Sequence, residues 1–299
     1  PALGDYSSAS ISLSGEYELG RLWLAMYRGS TKEHSDPLMR TYLEDLIYRL
    51  SETSEVRDRR FEFIILEDKT INAFAAPGGI IGINLGMFLN TEREGELASV
   101  MCHELAHLSQ RHFARSQNRN SPLANALMIL GSIAVAAASR NPEAILIAPA
   151  AMQQMSINYT RSNEKEADRI GFNNLVKAGF DPNDMTMMFQ RMQDKYQNED
   201  SEQFSYLMTH PLPSERLTDM RIRADGLKKN SKNSFRDNLD FYLIQKRAQV
   251  WAEKDIKELV KRFKKNLKSQ NKNTEISNRY GLSLAYKRNK DFEKSFSIL

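Results

Sequence analysis

A chain of 299 residues that is 41% hydrophobic, 27% charged and 9% aromatic carries enough apolar material for one large domain or two modest ones. That composition excludes a disordered tail, a collagen-like rod and a disulfide scaffold. The single cysteine, Cys102, excludes an intrachain disulfide and any metal site built from several cysteines. The formal net charge of +4 hides an asymmetry: residues 221–299 hold 21 Lys/Arg against 9 Asp/Glu, and residues 1–220 hold 21 against 29.

A basic C-terminal piece on an acidic N-terminal piece predicts two parts. The lysines form either a surface for an acidic partner or membrane headgroups, or the solvated faces of helices, which is the plainer reading. No nucleic-acid motif accompanies them, so no nucleic-acid partner is expected. Mean hydropathy is −0.55, and no run reaches the roughly 18–20 apolar residues of a membrane span. The nearest approach, Leu123–Ala138, is interrupted by Asn125 and Ser132. The chain opens Pro1-Ala2-Leu3-Gly4-Asp5, with neither a charged nor an apolar leader region. Composition leaves open a cytoplasmic protein and one whose leader has been removed.

In chain order, Glu16–Arg28 reads as an amphipathic helix and Asp36–Ser51 as a second, with Pro37 near its start. Phe61–Leu66 is strand-like, Asn72–Ala75 is a short extended piece, Pro77-Gly78-Gly79 breaks it, and Ile80–Leu85 is a further strand. Thr91-Glu92-Arg93-Glu94 has the form of a capping box and should open a long helix to about Gln117, with Leu97, Met101, Leu105 and Leu108 as its core stripe. The Ala-rich segment Leu123–Ala151, broken by Gly131, Pro142 and Pro149, reads as a packed or mobile helical hairpin, with peripheral membrane contact as the alternative. A capped helix starts near Ser162/Asn163 and runs to Ala178, where Gly179 fits the position after the cap; Asp181-Pro182 then opens another. From about Asn238 the text is helical and Lys-rich. There Leu282, Ser283, Tyr286, Phe292, Ser295 and Leu299 follow the spacing of a tetratricopeptide helix pair, against the alternative of a single amphipathic hairpin. The last repeat looks cut short, as expected of a piece of a longer protein.

The chemistry centres on His103-Glu104-Leu105-Ala106-His107. Helical spacing places His103 and His107 one turn apart on one face, where both imidazoles reach one ion. Glu104 sits beside them, able to hold a water without ligating the metal. A catalytic zinc needs three protein ligands and one open position, so a third ligand is owed. The candidates are His34, His112, His210 and the carboxylates. His112 is five residues past His107 and should point away from that face. The best carboxylates lie in Asn163-Glu164-Lys165-Glu166-Ala167-Asp168, where Glu164 and Asp168 are one turn apart. One can ligate while the other accepts the free N–H of a liganding histidine. Spacing alone does not decide between Glu164 and Glu166.

These residues, with the run Arg161–Gly171 and with Thr209-His210-Pro211-Leu212-Pro213-Ser214-Glu215-Arg216-Leu217, resemble the gluzincin metallopeptidase family of the CAAX prenyl protease and the HtpX heat-shock protease. The resemblance is strongest to periplasmic members that join such a domain to C-terminal tetratricopeptide repeats, and it spans about Gly4 to Leu299. It implies a mainly α fold with a small β-sheet (α+β): a zincin-like peptidase domain at 1–230 and the start of a repeat region at 231–299. It implies one zinc ion per chain, with Glu164 as third ligand, Asp168 as the partner of a liganding histidine, and His210 as a fourth ligand that keeps the site latent. Arg216 would stabilise the oxyanion or fix its loop, or form a structural ion pair. Glu104 would be the general base of peptide hydrolysis. Substrate would lie extended along an edge strand near Gly79–Asn84, with Asn72, Gly79, Ile80 and Ile81 holding its backbone. The implied substrates are unfolded or stalled outer-membrane β-barrel proteins, the implied partner is the outer-membrane assembly machinery reached through the repeats, and the implied location is the periplasm. A second reading is a repeat-based binding protein or chaperone whose plugged metal site is mainly regulatory.

Overall fold

The computed structural model describes residues 11–117, 160–198, 205–228, 238–267 and 271–298. The expected hairpin at Leu123–Ala151, and Leu299, lie outside them. The described chain is α+β, mostly helix around one small sheet.

Helix α1 (Leu13–Ser30) begins where the Ser12 hydroxyl accepts from the Gly15 N–H at 3.0 Å, one turn before the expected start. Helix α2 (Pro37–Glu52) has Asp36 as its cap, accepting from the N–H groups of Leu38 and Met39, with Pro37 at the first helical position. Strands β1 (Glu62–Leu66), β2 (Ala73–Ala76) and β3 (Ile80–Asn84) form a sheet in the order β1-β3-β2. β1 runs parallel to β3, and β2 antiparallel to it. Gly78 and Gly79 turn the chain between β2 and β3 at φ of 77° and 78°, a region that costs glycine nothing. The short helix α3 (Leu85–Asn90) follows β3 directly; the expected last strand residue, Leu85, is its first.

The capping box is displaced. Thr91 closes α3, its hydroxyl donating to the Met87 carbonyl at 2.9 Å, and the carboxylate that reaches back is Glu96, which accepts from the Glu92 N–H at 2.7 Å. Helix α4 (Glu94–Ser109) starts after Arg93, which makes no side-chain cap. Every residue from Glu94 to His107 is buried, so α4 has no stripe: it is surrounded by core. It also stops short of Gln117. Arg111 takes a left-handed φ of 53°, its guanidinium bound to Glu16 of α1 at 2.9 Å and to the Ile11 carbonyl, and α5 (His112–Gln117) restarts in a new direction.

Helix α6 (Arg161–Lys177) is capped by Thr160 rather than by Ser162 or Asn163. It ends in a Schellman arrangement: Gly179 at φ 84° donates to Val176 and Phe180 donates to Leu175. Asp181 then accepts from the N–H of Asn183, the first residue of α7 (Asn183–Asn198). The short α8 (Ser205–Thr209) and α9 (Ser214–Lys228) complete the shell around α4. α10 (Leu239–Ala252), α11 (Ile256–Lys265), α12 (Lys272–Arg288) and α13 (Phe292–Ser297) follow.

One large core joins α2, α4, α6, α7 and α9 to the inner face of the sheet, and α10 adds Phe241, Ile244 and Ala248 to it. A separate cluster around Leu259, Phe263, Leu282 and Ala285 holds α11 against α12. Ser283 and Ser295 there exchange bonds, each hydroxyl donating to the other's carbonyl at 2.8 and 2.9 Å, while Phe292 is 55% exposed. The α11 lysines 257, 261, 264 and 265 are exposed. No described helix is long and apolar enough to cross a membrane.

Candidate metal centre

α4 and α6 cross in close contact, and that contact builds the site. Glu164, Asp168 and Gly171 lie on one face of α6, and Gly171 lets the backbones meet: a Cβ there would stand 3.0 Å from the carbonyl carbon and oxygen of Cys102 and from His103 Cα. The four side chains His103, His107, Glu164 and His210 are all buried, and one donor atom from each lies within 4.8 Å of the others. The Nε2 atoms of His103 and His107 are 2.9 Å apart. Glu164 places Oε2 at 3.5 Å from the first and Oε1 at 3.4 Å from the second. His210 Nδ1 is 3.4 Å from His103 Nε2 and 3.0 Å from Glu164 Oε1. Four donors at 2.0–2.1 Å around a tetrahedral ion stand about 3.3–3.4 Å apart, close to several of these separations, so the set could hold a metal ion such as zinc.

Electrostatics agree with the donor chemistry. Burial alone would raise Glu164, but His210, His103 and His107 hold its carboxyl below the ordinary range. Burial lowers His103, but Asp168 and Glu164 outweigh it and push its pKa up to about 9. The same two carboxylates place negative charge beside the donor atoms. Glu104 differs: burial raises its pKa against the pull of His210 and His103, and no hydrogen-bond partner meets either carboxylate oxygen with standard geometry among the described residues. Its Oε1 lies 3.6 Å from His210 Nε2, and the buried Tyr206 side chain also acts to lower its pKa.

Each of the two imidazoles on α4 is held from behind. His103 Nδ1 lies 3.0 Å from Asp168 Oδ1. Arg216 clamps Asp168 with two bonds of 2.6 and 2.8 Å, pairs with Glu164 at 2.9 Å and donates to the Pro211 carbonyl at 2.6 Å. Its guanidinium is 3% exposed and turned to these acceptors, which is the ion-pair alternative rather than an oxyanion contact. His107 Nδ1 lies 2.9 Å from His112 Nδ1, and His112 Nε2 lies 3.1 Å from Glu166. The break at Arg111 returns His112 to the back of His107, where a continuous helix would have turned it away. Burial takes the His112 pKa down to about 4, outweighing Glu166. His34 is remote from the cluster, beside Glu67 and Trp251.

The expected substrate strand requires a correction. β3 is paired on both sides, so Gly79, Ile80 and Ile81 offer no edge; the Gly79 carbonyl already accepts from the Glu62 N–H. The edge on the α4 side is β2. The bond from Asn84 N–H to the Asn72 carbonyl fixes the register, so Ala73 and Ala75 turn their backbone groups away from β3. A cleft lined by Ala75, Gly78, His107, Ser109 and Phe113 runs between that strand and the end of α4. Asn72 stands just before β2, with its side-chain oxygen buried and without a partner among the described residues. The sequence reading turned His112 away from the site and left Glu166 open against Glu164; it missed Tyr206. Tyr206 stacks on His210 at 4.6 Å and 25°, and its N–H donates to the Ile71 carbonyl on the outward side of that edge. Its spacing of four from His210 on a helical turn is the signal that could have found it.

The model of peptidase family M48 matches residues 37–224, a span that contains all four donors. The chain belongs to peptidase family M48. A Vibrio cholerae relative is 37% identical over 305 residues, covering 100% of this chain and 62% of its own length. The beta-barrel assembly-enhancing protease of Escherichia coli K12 is 36% identical over 257 residues, covering 83% of this chain and 51% of that protein. The mitochondrial metalloendopeptidase OMA1 of Schizosaccharomyces pombe is 27% identical over 197 residues, covering 64% and 56%. The chain thus spans between half and two thirds of the length of these relatives.

Proposed function

We propose that this chain is a zinc-dependent endopeptidase that hydrolyses peptide bonds of misfolded or stalled outer-membrane β-barrel proteins in the bacterial periplasm. The observation that carries the hydrolytic reading is the convergence of His103, His107 and Glu164 beside a fully buried Glu104. The names of the bacterial relatives support the choice of client.

A zinc ion held by His103, His107 and Glu164 would supply Lewis acidity, polarising a water and the scissile carbonyl. Glu104 takes the proton as that water attacks, and returns it to the departing amine nitrogen. Burial, which raises its pKa, favours the protonated form that follows uptake of that proton. Asp168, fixed by Arg216, holds His103 through Nδ1 and so would leave Nε2 to the ion. The outward backbone of Ala73 and Ala75 pairs with an extended substrate, with Asn72 at one end, a fit for clients rich in unpaired strands. His210 would be the fourth residue to hold the ion and would have to withdraw before substrate enters. Residues 231–299 begin a tetratricopeptide region that docks the peptidase on the assembly machinery or delivers clients to it.

The buried position of His210 also favours the second reading, in which a plugged site mainly regulates a binding protein. Glu104→Gln separates the two. Retained zinc with cleavage of an unfolded barrel protein reduced by about 10²–10⁴-fold supports hydrolysis; undiminished cleavage refutes it. His210→Ala should cleave faster than the parent, and no gain would remove the plug from the account.

A further inference from the structure

The two liganding histidines are backed in different ways. Behind His103 stands a carboxylate, Asp168. Behind His107 stands a second imidazole, His112, 0% exposed, and only behind that a carboxylate, Glu166, which Arg115 holds at 2.9 Å. We propose that His112 is a positioning residue for the metal: it relays Glu166 to His107 through two hydrogen bonds and so fixes which nitrogen of His107 faces the ion. This rests on the metal-centre reading above.

The directions follow from the atoms present. His107 Nε2 faces His103 Nε2 and Glu164, so its lone pair belongs to the ion and its ring proton sits on Nδ1. That N–H donates to the nearest acceptor, His112 Nδ1 at 2.9 Å. His112 then carries its own proton on Nε2 and donates it to Glu166 Oε2 at 3.1 Å. In this arrangement each of the two hydrogen bonds has one donor and one acceptor. A proton on His112 Nδ1 would set two N–H groups against each other and leave Glu166 without its donor.

The fold arranges for the relay at a cost. Arg111, a non-glycine residue, is held at a positive φ, a conformation that is sparsely populated. The bonds to Glu16 and Ile11 hold it there. Without the reversal, residue 112 would lie about 140° around the helix from His107. The run Glu164-Lys165-Glu166 therefore serves both histidines: Glu164 reaches the ligand atoms, and Glu166 reaches His107 from behind, one residue removed on the same helix.

The test measures zinc affinity of the full chain by chelator competition, with folding followed by circular dichroism. His112→Phe keeps ring volume and removes both hydrogen bonds; affinity should fall about 10–100-fold, the usual effect of losing such a partner. His112→Gln offers a carbonyl to His107 and an amide to Glu166, and should recover most of that loss. A folded His112→Phe chain with parental affinity overturns the proposal, and so does His112→Gln losing as much as His112→Phe. If His112→Phe does not fold, nitrogen-15 spectra of the histidine rings in the zinc-loaded parent decide: a proton on His112 Nε2 supports the relay, and one on Nδ1 overturns it. A parent chain that binds no zinc would refute the metal centre itself, a result distinct from any of these.

Discussion

Gly171 sets the distance between α6 and α4, and Gly171→Ala tests how closely the site depends on it. The added Cβ would meet Cys102 C, Cys102 O and His103 Cα, each at 3.0 Å. All three are backbone atoms, so no flexible side chain can yield and the helices must separate by a few tenths of an ångström. In a helix interior alanine is favoured over glycine by about 1 kcal/mol, whereas overpacking costs about 1–3 kcal/mol. The net loss is about 0–2 kcal/mol, a fall of at most ~8 °C in Tm for a domain of this size. The metal should register more. Glu164 and Asp168 ride on the same face as Gly171, and ligand distances tolerate only about 0.2 Å. Zinc affinity should therefore fall roughly ten-fold or more, out of proportion to the change in Tm. Gly226→Ala is the control: it is also helical, but nothing lies within 4 Å of its Cβ position, so it should gain about 0.5–1 kcal/mol and leave zinc binding unchanged. Thermal melts and chelator competition on both variants decide. A Gly171→Ala chain that melts higher, as Gly226→Ala should, and binds zinc like the parent would refute the tight interface.

Asp184, 1% exposed, has its pKa pushed up to about 7, chiefly by burial, with Arg93 opposing. The folded state therefore binds this proton between about pH 4 and 7 while the unfolded chain has released it, so stability falls as pH rises through that window and stays reduced above it. Asp184→Asn should abolish this dependence, on the order of 2–4 kcal/mol across the window; parallel denaturation curves at pH 5 and pH 8, the same for parent and variant, would contradict it. Cys102 is buried, and burial pushes its thiol far above the ordinary range. Thiol reagents should label the native chain only as fast as it opens, and prompt labelling at neutral pH without loss of circular dichroism would contradict that placement.

The pairing of His103 with His107 and the choice of α+β architecture were legible because they are local: one turn of helix, and strands bounded by Pro77-Gly78-Gly79. What the sequence concealed is tertiary. Thr91-Glu92-Arg93-Glu94 has the letters of a capping box, yet Thr91 closes the preceding helix, because α3 was unrecognised in Leu85–Asn90. The helix to Gln117 breaks at Gln110-Arg111, where no glycine or proline marks it; the cause is the grip of α1 on Arg111, 95 residues away in sequence. Strand order was equally hidden, since β3 reads as a good strand whether it lies at the edge or in the middle, and only the crossover to β1 puts it in the middle.

The same concealment explains why α4 carries so much buried polarity. A helix enclosed on all sides cannot turn its polar residues to water, so each must find a partner inside. Glu94 meets the Tyr42 hydroxyl at 2.9 Å, Glu96 meets Arg191 at 3.0 Å, His103 meets Asp168, and His107 meets His112. All these partners come from other elements, so the fold of the whole shell is what makes the helix tolerable. Glu104 breaks the pattern. It alone among the acidic residues of α4 is buried with neither oxygen hydrogen-bonded among the described residues, and it lies one residue from His103. Structure for its own sake would favour an apolar or a paired side chain there. Such a carboxylate, buried with His210 Nε2 at 3.6 Å, is the side chain that the proposed general-base role asks of this position.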